Sequence, residues 1–166
     1  MLDITKFSRT YSVRRMRESD ADAILAILEG NPQYCQYCGK SPSKEEILID
    51  LTITPPNISA DAKYYVGFYD HETLVAVMDL IEGYPSPDCL FIGFFMMDRK
   101  FQGKEIGTGM IGELLQYAKE IGFSTVRLGI DKGNPQSTHF WGKNGFRVIK
   151  EIKQDVGTIL LAERTL

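Results

Sequence analysis

Apolar positions recur along this chain with two periods, and the switches between them divide it into elements. Residues 11–16 alternate as a first strand, and Ser19 with Asp22 three residues on predicts a helix start, followed by Ile24, Ile27 and Leu28 at helical spacing and closed by Gly30. Ser43 and Glu46 repeat the capping-box spacing ahead of Ile47, Leu48 and Leu51, and that helix must end before Pro55-Pro56. The polar, Pro-bearing residues 31–42 between the two helices have the character of a mobile flap.

From Lys63 the period becomes two. Residues 64–69, 74–81 and 90–97 are aromatic and β-branched runs separated by short turns, as in an antiparallel meander. A polar, Gly-containing turn over residues 98–107 leads into a helix reaching about Ile121, with Leu114, Leu115 and Ala118 facing inward. Strands over 126–130, 146–152 and 158–162 follow, with a short helix over 136–143 between the first two. This order of elements is that of a mixed α+β fold, and no repeat, linker or low-complexity tract interrupts it.

Composition narrows the picture. A chain of 166 residues, 43% of them apolar, fits a single domain spanning residues 1–166 with a core of its own. Nineteen basic against 22 acidic residues, scattered rather than clustered, do not predict nucleic-acid binding. The longest apolar runs are too short to cross a bilayer, and residues 1–17 lack the apolar core of a signal peptide, so the expectation is a cytoplasmic protein without membrane attachment. Cys35 and Cys38 form a C-x-x-C without a second Cys or His pair nearby, which leaves a zinc site half its ligands; no metal is expected.

The chemistry concentrates after residue 94, where an apolar strand runs through a Gly-containing turn into a helix. A helix start presents unpaired N–H groups and a positive dipole end, and Gly lets backbone approach a ligand, a combination suited to phosphate. Gly107-Thr108-Gly109-Met110-Ile111-Gly112 has the letters of a dinucleotide fingerprint. Its context is wrong, because nine residues separate Met97 from Gly107 and the last two glycines fall within the helix.

Gln102-Gly103-Lys104-Glu105-Ile106-Gly107-Thr108 resembles instead the Q/R-x-x-G-x-G/A pyrophosphate loop of the GNAT acyltransferase superfamily. Asn134 to Phe146 is similar to that family's second signature, N-x-x-[A/S]-x-x-hydrophobic-Y-x-K-x-G-F, and both occur in the family's order and spacing. The resemblance covers nearly the whole chain. It implies a twisted, mostly antiparallel sheet of about seven strands flanked by helices, with the fourth and fifth strands splayed, and acetyl-coenzyme A as cosubstrate. Met96 and Met97 would pair with the pantetheine arm, the N–H of Met97 polarising the thioester carbonyl. The backbone of Gln102, Gly103, Lys104, Glu105, Ile106, Gly107 and Thr108 would hold the pyrophosphate; Asn134, Phe140, Trp141 and Lys143 would line the remainder.

The implied reaction is direct transfer of an acetyl group to an amine of a small molecule or peptide in a ternary complex, and a homodimer is compatible with the family. The sequence departs from the pattern in two places. Glu105 stands where the family usually has Gly, and Trp141 where many members carry the tyrosine that protonates the leaving thiolate; an indole N–H is no proton source. These departures motivate an alternative, a catalytically silent acyl-CoA sensor.

An alkylammonium has a pKa of about 10.4 and a thiol about 8.5, so near neutrality the amine needs a base more than the thiolate needs an acid. Asp79 and Glu82 on the third strand and Asp131 beyond the fifth are the candidate bases, and an acidic pocket from the first two would favour a cationic amine. Tyr84 or water would return a proton to the thiolate. His139 is a bystander on this reading, and Tyr34 and Tyr37 are candidate walls for the acceptor.

Overall fold

The computed structural model describes residues 1–39 and 41–166, with residue 38 described by its backbone alone. Seven strands form one sheet: β1 (Ser12–Arg15), β2 (Lys63–Asp70), β3 (Thr73–Glu82), β4 (Cys89–Met97), β5 (Thr125–Asp131), β6 (Arg147–Lys153) and β7 (Thr158–Thr165). Their order across the sheet is β1-β2-β3-β4-β5-β7-β6, and β4 with β5 is the parallel pair among antiparallel ones. Among the described residues five α-helices accompany it: α1 (Ala21–Glu29), α2 (Pro32–Cys38), α3 (Lys44–Asp50), α4 (Ile106–Glu120) and α5 (Pro135–Lys143). The α+β arrangement and the strand count expected from the sequence are both present.

Each face of the sheet has its own core. Leu90, Ile92 and Met97 of β4 and Val126, Leu128 and Ile130 of β5 pack with Met110, Ile111, Leu114 and Leu115 of α4 and Trp141 of α5. On the other face Tyr65, Tyr69 and Val77 pack with Ile24, Ile27 and Leu28 of α1 and Ile47 of α3. Alternation along each strand sends neighbouring side chains to these separate layers, so the strands read as nearly continuous apolar runs.

Two local expectations change. The helix start expected at Ser19 is a 3-10 turn, Glu18–Asp20, and the carboxylate that organises it is Asp20, which accepts the Arg17 N–H at 2.8 Å and pairs with Arg14. Asp22 instead meets Lys44 of α3 at 2.8 Å. Ser43 caps α3 as expected, accepting the Glu46 N–H at 3.2 Å. Within residues 31–42, described here except for residue 40, the expected flap contains helix α2. Its Pro sits at the first turn, where the missing N–H costs nothing, and Gly39 closes it in the left-handed region with φ 71°.

Candidate active site

The site begins with a misfit between strands. β3 and β4 pair Asp79 with Phe94 and Leu80 with Ile92, which leaves Gly93 as an extra residue on β4. Such a bulge bends its strand, and the parallel pairing of β4 with β5 ends at that place, at Ile92 and Leu128. The first residues past the last pair are both glycines, Gly93 and Gly129. From there a cleft of about 1090 Å³ opens between the strands and extends over the turn before α4 and the start of α5.

One half of the cleft is built on backbone. The strand end Phe95, Met96 and Met97 leads through Asp98 and a 3-10 turn, Arg99–Phe101, to Gly103 at φ 71° and Glu105 at φ 60°, and α4 starts at Ile106. Helix geometry leaves the opening N–H groups of α4 without partners inside the helix, and Ile106, Gly107 and Thr108 line this cleft. Gly107 is required by packing. A Cβ there would lie 2.8 Å from the Met97 Sδ and 3.2 Å from the Phe140 ring. Of the residues expected to hold a cofactor, all but Lys104 line the cleft; Lys104 is exposed.

Two of these residues have structural tasks as well. The Asn134 side chain caps α5, accepting the Ser137 N–H at 3.1 Å. Trp141 is buried and packs edge-to-face with Phe140 at 4.9 Å and Phe146 at 5.2 Å, ring against ring rather than toward a reacting group. Glu105 forms an ion pair with Lys143, whose ammonium holds its carboxyl below the usual range. The charge that departs from the family pattern is therefore met by a cation one helix away.

A bridge absent from the sequence reading joins this half to the rest. The Asn31 Nδ2 donates to the Met97 carbonyl at 3.0 Å and to the Ile27 carbonyl at 2.8 Å. The Gln102 Nε2 donates to the same Met97 carbonyl at 3.0 Å and to the Asn31 Oδ1 at 2.7 Å. The Asn31–Met97 and Gln102–Asn31 bonds span 66 and 71 residues of sequence, so no local pattern signals them. They fix the end of α1 to the end of β4.

The other half is built from side chains. Tyr34, Phe91, Phe94, Asp131 and Ile159 line it together with Pro32 and Gln33. Burial pushes the Asp131 carboxyl above its ordinary value, and among the described residues it has no cation within ion-pairing distance. Asp131 is thus the sequence-proposed base that reaches the cleft.

Asp79, Glu82 and Tyr84, expected as catalytic, do not line the cleft. Asp79 lies beneath Gly93 and gives both oxygens to the buried Lys63 ammonium, at 2.8 and 2.7 Å. Burial raises its carboxyl while Lys63 opposes that shift. Glu82 accepts from the N-terminal amino group at 2.9 Å and from the Tyr64 hydroxyl at 2.8 Å, and it does not line the cleft. The cause is the strand period: Asp79 shares a face with Tyr65, whereas Glu82 bonds Tyr64 on the other face. Tyr84 also lies outside the cleft and packs edge-on against Phe91 at 5.3 Å. His139 lines it on α5.

Comparison with known proteins agrees with this geometry. The model of the acetyltransferase (GNAT) family matches residues 22–146. An acetyltransferase from Salmonella typhimurium that modifies the N-terminal serine of ribosomal protein L7/L12 superposes with a TM-score of 0.75 at 18% identity, over 99% of both chains. An acetyltransferase from Thermus thermophilus gives 0.74 at 20% identity, over 95% of this chain and 97% of the other. The PaiA N-acetyltransferase of Thermoplasma acidophilum in complex with coenzyme A gives 0.66 at 18% identity, over 94% and 99%. No curated protein matches the sequence significantly. Among the described residues no helix is long and apolar enough to cross a membrane.

Proposed function

This chain belongs to the GNAT acetyltransferase family and is an acyltransferase, and from that premise we propose that it passes the acetyl group of acetyl-coenzyme A directly to a primary amine, with Asp131 as the base. The observation that carries this reading is one continuous cleft that joins the start of α4 to Asp131 through the gap between β4 and β5. The residues present fit the cosubstrate. Amides opening α4 suit a diphosphate, Gly107 lets that backbone come close, and the apolar gap beyond Phe95 and Met97 suits a narrow thioester arm.

In the reaction the amine nitrogen, once neutral, attacks the thioester carbonyl carbon and the carbon–sulfur bond breaks. Asp131 takes the proton that the nitrogen sheds; its raised pKa brings it closer to the amine and makes it a better base than an exposed carboxylate. The sulfur departs as thiolate and is protonated by water, since Trp141 is locked among aromatic rings and Tyr84 is outside the cleft. No covalent acyl-enzyme is needed.

Calorimetry with coenzyme A, combined with thiol release from acetyl-CoA over a range of amine concentrations, tests the proposal. Micromolar binding and intersecting initial-rate lines are expected for a ternary complex. Parallel lines would replace direct transfer with an acyl-enzyme, binding without turnover of any amine would leave the sensor alternative, and absence of binding would overturn the whole assignment.

A further inference from the structure

On the acceptor side of the splayed strands the cleft wall consists of Pro32, Tyr34, Phe91, Phe94 and Ile159. Tyr34 meets Phe94 edge-to-face with centroids 5.4 Å apart, and Phe91 is braced from behind by Tyr84. Gly93 and Gly129 also line it, and a Cβ at either would lie within 3.0 Å of Asp79 or Ile159. Charge is scarce. Among the described residues lining the cleft the acids are Asp131 and Glu105, and Glu105 belongs to the cofactor side, paired with Lys143. Asp79 and Glu82 are not among the lining residues: Asp79 accepts from Lys63 and Glu82 from the Tyr64 hydroxyl. An acceptor with several ammonium groups would meet one lining carboxylate on this side, Asp131, and a wall otherwise made of rings and aliphatic carbon.

We propose that the acceptor is a small primary amine on an aromatic or apolar carrier, its ring or chain held by Tyr34, Phe91 and Phe94 and its nitrogen at Asp131; this rests on the acetyl-transfer reading above. The preference comes from a pocket that matches a ring in polarity and lines one carboxylate, Asp131, beside the aromatic wall.

The test is thiol release at saturating acetyl-CoA with three acceptors: 2-phenylethylamine, spermidine, and a hexapeptide with a free N-terminal serine. The expected kcat/KM for phenylethylamine exceeds each of the others by about tenfold or more. Tyr34→Ala should raise its KM by about tenfold while coenzyme A affinity by calorimetry stays unchanged, and Tyr34→Phe should restore it. Faster turnover of spermidine or of the peptide overturns the inference while acetyl transfer itself stands. An unchanged KM in Tyr34→Ala, or coenzyme A binding with no turnover of any amine, also overturns it. Loss of coenzyme A binding in the wild-type protein would instead remove the reading beneath it.

Discussion

Beside α4, the cleft is shaped mainly by one short segment of chain: residues 95–108 supply a strand end, a turn and a helix start without a Cβ at Gly107, with Phe140, Trp141 and Lys143 of α5 set against them. Beside α2, the cleft is assembled from Tyr34, Phe91, Phe94, Asp131 and Ile159, which come from separate elements of the chain and contribute side chains. The first half can be altered only by disturbing backbone, so its signature survives in the sequence as spacing. The second can change its ligand one side chain at a time without disturbing the sheet, which is how one fold comes to serve many acceptors.

The largest effect should come from breaking the backbone half. Gly107→Asp would drive a Cβ to within 2.8 Å of Met97 and set a carboxylate against the incoming diphosphate. Coenzyme A affinity should fall at least about 100-fold, by more than two factors of ten at about 1.4 kcal/mol each. Calorimetry checks this, with a thermal melt to confirm the fold; affinity within about threefold of wild type would show that the start of α4 does not hold the ligand.

A change in the side-chain half should separate chemistry from cofactor binding. Asp131→Asn is expected to lower kcat by about 100-fold, the lower range for a positioned base, with coenzyme A affinity unchanged. The sign of the pH dependence follows from the base being active as the carboxylate. In the wild type kcat/KM rises with pH through the raised Asp131 pKa, and that limb should vanish in the variant. A rising limb in the variant with the same midpoint would assign the base to another group.

Asp79→Asn reaches beneath both halves. It leaves the Lys63 ammonium, 4% exposed, without its carboxylate, and breaking a buried pair from one side costs about 3 kcal/mol or more. The expected result is a melting temperature lower by roughly 6 °C or more, at about 2 °C per kcal/mol for a domain of this size. Turnover per folded molecule should stay within about threefold of wild type, because Asp79 does not reach the cleft. Normal stability with lost turnover would return Asp79 to the chemistry.

How far each part was legible follows the same division. The Ser43 cap, the meander and the strand-turn-helix at residues 90–120 depend on neighbours a few residues away, and the sequence displays them. Helix α2 was also written locally, in Pro32 and Gly39, but its polar surface resembles that of a loop. Glu82 was legible in part: it stands three positions from Asp79 on one strand, so period two already sets the two carboxylates on different faces. The bulge at Gly93, the Asn31–Gln102–Met97 bridge and the Lys63–Asp79 pair depend on register between strands and on contacts 16 to 71 residues apart, which single-sequence pattern does not encode.

The smallest effect sharpens the boundary between the halves, where Glu105 and Lys143 meet at the mouth of the backbone half. Both groups are substantially exposed, so their attraction is screened and its removal should move affinity only a few fold. Lys143→Ala takes away a cation near the diphosphate and uncovers a carboxylate, and both changes act in the same direction. Coenzyme A affinity should weaken by about threefold at low salt, and the difference should shrink at about 0.5 M salt. Glu105→Gln added to that variant separates the two causes. If the uncovered carboxylate repels the ligand, the double variant recovers most of the loss; if Lys143 contacts the diphosphate itself, the loss persists. Recovery would show that Lys143 compensates for an acid at a position where the family pattern has glycine, and that the loop keeps its grip because its backbone N–H groups, rather than its side chains, face the ligand.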